Sequence, residues 1–260
     1  MQPILNIAGY KFITLTDLSA RRDIFLEKTT SLQLKGTILL SSEGVNITLA
    51  GSSENIADFL LFLQQETLFA DMNFRKSYSD FQPFRHMRVR IKKEIITMGQ
   101  PDIHPENETA PEISPAEFKK WLDEKRDITV LDTRNGYEVE FGTFDNAKHL
   151  DIDDFGEFPV AMRQVATDKP IVMFCTGGIR CEKAGLAMMH AGYSEVYQLK
   201  GGILNYFSEV GAAHYHGECF VFDERISVDT NLKPTGTTQC LTCQGPIKSA
   251  DVSCRNCTTC

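Results

Sequence analysis

"KPIVMFCTGGIRCEKAGLAMMHAG", residues 169–192, decides how this chain folds. It opens on a short apolar run, "IVMFC", that reads as a strand ending at Cys175. It closes on "CEKAGLAMMHAG", which reads as a helix starting near Cys181. Between the two lies "TGGIR". The same strand-then-helix order recurs around it. "DITVLDTR" is a strand, "PVAMRQVA" a helix, "EVYQLKG" a strand and "GILNYFSEV" a helix. Such alternation gives an α/β domain with a parallel sheet. Ligands of these sheets sit beyond the carboxyl ends of the strands, where Cys175 falls. The domain spans residues 114–213. Its first helix is signalled by "SPAEFKKWLDEK", with Ser114 as cap, Pro115 in the first turn and Glu117 completing a capping box.

Upstream the pattern differs. "GYKFITL" is a strand, and "LSARRDIFLEKTTSLQL" a helix with Leu18, Ile24, Phe25 and Leu32 at helical spacing. "KGTILLSSEGVNITLAG" is a hairpin turning at Ser42-Glu43-Gly44. Ser52 or Ser53 caps a helix through "ENIADFLLFLQQE", and "FRKSYS" and "MRVRIKKEIITM" read as strands. This order predicts an α+β unit over residues 1–98, a small antiparallel sheet with two helices on one face, the ferredoxin-like or acylphosphatase-like arrangement. Residues 99–113, "GQPDIHPENETAPEI" with its Pro, Glu and Asn, read as a linker. A cysteine-rich segment occupies residues 214–260.

The chain has 260 residues, enough for two modest domains and a tail, and 42% of them are hydrophobic, enough for normal cores. No apolar run reaches the length of a membrane span, and the start lacks the layout of a signal peptide. A cytoplasmic protein without a membrane partner is the expectation. Eight cysteines in a reducing compartment then point to catalysis or metal binding rather than disulfides. The net charge of −8 excludes a chain basic throughout. Locally, "RKSYSDFQPFRHMRVRIKK", residues 75–93, sets seven Lys or Arg against one Asp. Arg85, Arg88, Arg90, Lys92 and Lys93 form either a footprint for a polyanion or an edge strand whose cations block pairing.

The loop after Cys175 carries its own chemistry. Gly177 and Gly178 permit positive φ and let backbone N–H groups turn inward. Together with a helix N-terminus these make an anion nest. A thiol there has a lowered pKa, because the thiolate is the favoured form. Arg180 adds a fixed charge and a planar fork. This residue set is suited to a reactive thiolate, a persulfide or an oxyanion. The competing reading is a buried thiol before an ordinary turn.

A Cys, four residues and an Arg after an apolar strand resemble the loop of the rhodanese sulfurtransferases. "VLDTR", residues 130–134, resembles their Asp-x-Arg signature, and "LKGGI", residues 199–203, their closing Gly-Gly turn. The related protein phosphatases and arsenate reductases have a loop one residue longer, so the resemblance favours sulfur over phosphate as cargo. It implies that Cys175 is the persulfide-forming nucleophile and that Thr176, Gly177, Gly178, Ile179 and Arg180 cradle its terminal sulfur. Taken with "EGVNITLAG", "RVRIKKEI", "CFVFDERISV" and the cysteine-rich end, the chain resembles the bacterial tRNA uridine(34) hydroxylase family over nearly its whole length. Ile47 departs from that pattern, standing where a small residue is expected. The resemblance implies an enzyme that hydroxylates the wobble uridine to 5-hydroxyuridine with molecular oxygen as co-substrate, acting on the tRNA anticodon arm. The alternatives are a plain sulfurtransferase working through a Cys175 persulfide, and a non-enzymatic scaffold.

Several residues keep two readings. Cys181 either resolves an oxidised or persulfidated Cys175 or packs at a helix start. Asp132 and Arg134 are expected to hold the domain together. His149 either nears the loop or packs. Cys219 is expected to be an inert strand thiol. Cys240, Cys243, Cys254 and Cys257 form two CxxC pairs with structural-zinc spacing, with free thiols or redox pairs as the alternative, and Cys260 is left over.

Overall fold

The computed structural model describes residues 3–248. The chain divides into two compact units, Met1–Thr97 and Met98–Cys260. Each is described by itself.

The first unit runs β1 (Ile4–Phe12), α1 (Leu18–Ser31), β2 (Lys35–Ser41), β3 (Gly44–Gly51), α2 (Ser53–Gln65), β4 (Arg75–Ser79) and β5 (Met87–Ile91). The sheet order is β4-β1-β3-β2-β5. Its first four strands are antiparallel neighbours, which is the expected ferredoxin-like arrangement. Strand periodicity places Leu5, Ile7, Ile38, Leu40, Val45, Ile47 and Leu49 on one face. There they pack with Phe25 of α1 and with Ile56, Phe59 and Leu63 of α2. Ile47 is fully enclosed in this core. Ile24, expected beside Phe25, points to solvent at 52% exposure, because adjacent helical residues sit about 100° apart. Ser52 caps α2, accepting from the Asn55 N–H at 3.1 Å.

Two features depart from the expectation. β5 pairs with β2 in parallel, so the sheet is mixed. The basic segment also does not make one stripe. Arg75 and Lys76 lie on β4 at one edge of the sheet, whereas Arg88 and Arg90 lie on β5 at the other. Four strand spacings separate those edges, about 19 Å.

The second unit runs β6 (Glu112–Ile113), α3 (Pro115–Asp123), β7 (Thr129–Asp132), α4 (Gly136–Val139), β8 (Gly142–Phe144), β9 (Lys148–His149), α5 (Phe158–Ala161), β10 (Ile171–Phe174), α6 (Ile179–His190), β11 (Val196–Leu199) and α7 (Gly202–Glu209). Five further short strands follow: β12 (Tyr215–Gly217), β13 (Cys219–Phe220), β14 (Ser227–Val228), β15 (Thr238–Gln239) and β16 (Pro246–Ile247). The central sheet is parallel throughout, in the order β6-β11-β10-β7-β9. β10 lies at its centre, and all four of its residues are buried. Ser114 caps α3 as expected, accepting from the Glu117 N–H at 3.1 Å.

Differences here are local. β6 falls inside the stretch read as linker, and it joins the sheet by pairing with β11. "PVAMRQVA" forms only the four-residue α5 with a 3₁₀ turn on either side. α6 starts at Ile179, two residues earlier than the sequence suggests, because Gly178 at φ 100° makes the turn that admits the helix. Among the described residues no helix is long and apolar enough to cross a membrane.

Candidate active site

Cys175 follows the last residue of β10 and is buried, with 1% of its surface exposed. The early start of α6 aims that helix's N-terminus at its sulfur. The Gly178 N–H donates to Sγ at 3.1 Å. The Arg180 N–H donates as well. Burial pushes the thiol up. The hydrogen bond from Cys181, the Arg180 charge and the two N–H groups outweigh it and bring the thiol down to about 5. Cys175 is thus held as a thiolate at neutral pH. Cys181, fully buried one turn into α6, moves the other way. Burial, the hydrogen bond to Cys175 and the Cys175 charge push it up, so it stays a neutral donor. Its Sγ lies 3.7 Å from Thr133 Oγ1.

The loop is clamped from behind by α7. The Ile203 N–H donates to the Cys175 carbonyl at 3.0 Å, and the Leu204 N–H to the Thr176 carbonyl at 3.1 Å. This closeness requires the second glycine of "LKGGI". A Cβ on Gly202 would stand 2.4 Å from the Cys175 carbonyl oxygen, and its φ is +67°. Gly177 sits on the opposite, open side. A Cβ there would meet nothing within 4 Å.

Two buried ion pairs stand in this unit, one of them formed by Arg180 of the loop. Asp132 and Arg134 are both fully buried. Arg134 Nε donates to Asp132 Oδ1 at 2.9 Å and Nη2 to Oδ2 at 2.6 Å, while Nη2 also reaches the Gly142 carbonyl at 2.6 Å. The Thr143 hydroxyl donates to Asp132 Oδ2 at 2.8 Å. This pair ties the end of β7 to the start of β8. In the second pair, Arg180 Nη1 and Nη2 donate to the two carboxylate oxygens of Glu138, at 2.5 and 2.7 Å. The fork expected to grip a ligand is therefore turned onto Glu138. What Arg180 offers the loop is its charge and its backbone N–H.

Glu138 is the residue that sequence reading missed. It is fully buried, and its Oε2 also accepts from the Asn135 N–H at 3.1 Å. The Thr176 hydroxyl lies 3.4 Å from its Oε1. Asn135 and Glu138 stand three residues apart, the spacing of a capping box, and that was its one legible signal. Phe220 and Phe222 of "CFVFDER" were also missed. Phe220 is buried against Tyr137 and Phe141, with centroids 5.3 and 5.2 Å away. Phe222 lies over Arg180, whose guanidinium carbon is 5.8 Å from the ring centroid.

Residues 4–95 match the UPF0176 acylphosphatase like domain, and residues 114–209 match the rhodanese-like domain. Over 252 residues the chain is 48% identical to the tRNA uridine(34) hydroxylase of Cupriavidus metallidurans, spanning 94% of this chain and 89% of that one. This chain belongs to the tRNA uridine(34) hydroxylase family. The protein of that name from Paraburkholderia xenovorans is 46% identical over 275 residues, covering 98% of this chain and 96% of its own. The one from Ralstonia nicotianae is 49% identical, covering 94% and 89%.

The other residues singled out in this family member each have surroundings of their own. His149 pairs in register beside Asp132, but its ring faces Asp151, with Nε2 3.3 Å from Oδ1. Cys219 is buried in β13, and burial pushes its thiol up to about 12. Arg85, Arg88, Arg90, Lys92 and Lys93 are exposed in the first unit. Register puts Arg88 opposite Thr37 and Arg90 opposite Leu39, on the sheet face away from the core. Cys254 and Cys257, half of the expected zinc set, lie outside the described residues. Cys240 is buried and disulfide-bonded. Among the described residues no group of three or more His, Cys, Asp or Glu is gathered to hold a metal ion.

Proposed function

We infer that this protein is a tRNA uridine(34) hydroxylase, converting the C5–H of the wobble uridine to C5–OH. The observation that carries the reading is the Cys175 thiolate, held between helix N–H groups in a chain 48% identical to a relative of that name. Cys175 is the group that meets the base. Arg180 and Cys181 keep it ionised, Glu138 fixes Arg180, and Gly202 lets α7 lock the loop. Molecular oxygen is the oxidant. One oxygen atom enters the base, and the other leaves as water with two electrons from a thiol reductant.

The part of the tRNA recognised is the anticodon arm, in keeping with a wobble-position target. Its loop bases are unpaired and can be splayed into a protein site, unlike bases in a helix. The exposed arginines of β5 supply phosphate contacts on a chain whose net charge is −8. A tRNA substrate also accords with a cytoplasmic location.

The test uses the full chain, unmodified tRNA, a thiol reductant and ¹⁸O-labelled oxygen gas. One ¹⁸O atom in the nucleoside at position 34 is expected. Label arriving from ¹⁸O-water instead would overturn oxygen as the source. Thiocyanate formation from thiosulfate and cyanide, with tRNA unchanged, would favour the sulfurtransferase reading.

A further inference from the structure

We propose that Phe222 is the stacking platform for the target base, an unpaired pyrimidine of single-stranded RNA. This rests on the tRNA reading and adds the residue that seats the base beside Cys175.

Phe222 is unlike the aromatic residues around it. Phe220 and Val221, just before it, are buried, whereas Phe222 keeps 61% of its surface in solvent. Its exposed ring is nevertheless fixed in place. It meets Phe220 edge to face, with centroids 5.2 Å apart and planes at 88°. Phe220 is braced in turn by Tyr137 and Phe141. The turn that carries Phe222 is pinned as well. Arg225 binds Asp223 through two nitrogens, Nε to Oδ1 at 2.8 Å and Nη2 to Oδ2 at 2.5 Å. The Val221 N–H donates to the Ile226 carbonyl at 2.9 Å, and the Ile226 N–H to the Asp223 carbonyl at 3.0 Å.

The ring also has one side on a cation that cannot move away. Arg180 lies against it, and both terminal nitrogens of Arg180 are held by buried Glu138. The same residue's N–H reaches the Cys175 sulfur. Phe222 is thus one residue removed from the thiolate, through Arg180 of a loop whose Gly177 and Ile179 are half-exposed. A braced and largely exposed aromatic ring, one residue from the thiolate that must meet a flat base, is what base stacking uses. Stacking of this kind depends on the π-face of the base and works on unpaired nucleotides.

The test separates stacking from a role exerted through Arg180. In a Cys175→Ala background, which stops turnover, the affinity of an anticodon stem-loop carrying uridine 34 is compared with that of the same RNA abasic at 34. The parent should favour the uridine form by roughly fivefold or more, the low end of stacking contributions. Phe222→Ala should bring the two within about twofold, and Phe222→Trp should keep the preference. With Cys175 restored, Phe222→Ala should leave the pH midpoint of thiol alkylation unchanged. A preference that survives Phe222→Ala overturns the platform alone. A shifted midpoint overturns it too, since the ring would then act through Arg180. A parent that fails to bind the stem-loop at all overturns the tRNA reading and the platform with it.

Discussion

Arg180 and Arg90 carry the same charge in opposite surroundings. In the loop of the second unit every charge is buried and answered: Arg180 by Glu138, Arg134 by Asp132, and the Cys175 thiolate by N–H groups and Arg180. On β5 of the first unit, Arg88 and Arg90 stand exposed on an edge strand. Buried charge fixes geometry and pKa and is insensitive to salt. Exposed charge leaves geometry alone and answers to salt. The loop should therefore set the chemical step, and the strand should set affinity for a polyanion.

The largest expected effect lies in the buried region. Asp132→Ala leaves Arg134 charged and unpaired in the core, and should cost about 3–5 kcal/mol of unfolding free energy, measured by denaturant titration. A loss under about 1 kcal/mol would mean that water reaches this pair and the contrast with β5 is false. Gly202→Ala comes next. Its Cβ would press on the Cys175 carbonyl, so kcat should fall about a hundredfold, as for a misplaced reacting group. Gly177→Ala, with open space around its Cβ, should change kcat less than threefold. Equal effects from the two glycines would remove α7 as the clamp.

The third effect is electrostatic and its sign is fixed. Arg180 favours the ionised thiol, so its removal must raise the Cys175 pKa. Iodoacetamide alkylation of the parent should plateau above about pH 6 and fall as pH drops through about 5. In an Arg180→Gln variant, which removes the cation and leaves an amide to hydrogen-bond Glu138, the midpoint should rise by about one unit or more, which is about tenfold less thiolate on the acid side. An unmoved midpoint would assign the thiolate to the N–H groups and Cys181 alone. The smallest effect belongs to the strand. Arg88→Ala and Arg90→Ala should each weaken tRNA binding a few-fold and flatten the log-log salt slope by about 0.9, with the alkylation midpoint unchanged. A salt slope that does not change would leave these arginines as blockers of edge pairing.

The contrast also explains what could be read beforehand. The strand-loop-helix at Cys175 was plain, because its signals are local: an apolar run, two glycines, then a helix. The ferredoxin-like order was plain for the same reason. The pairing of β5 was not, because parallel partners are far apart in sequence and alternation does not name them. Splitting the basic segment between two sheet edges depended on that same pairing. Glu138 lies 42 residues before the arginine it holds, and locally it looked like a helix cap. Phe222 looked like any strand aromatic in "CFVFDER". Only the structure shows it left in solvent over Arg180.

The central claim is that the Cys175 thiolate acts on the wobble uridine of tRNA. The most direct measurement is nucleoside mass spectrometry of total tRNA from a strain lacking this gene, complemented with the parent or with Cys175→Ala at matched protein level. The account predicts that 5-hydroxyuridine and its derivatives at position 34 return with the parent and stay absent with Cys175→Ala. Full restoration by Cys175→Ala would contradict it.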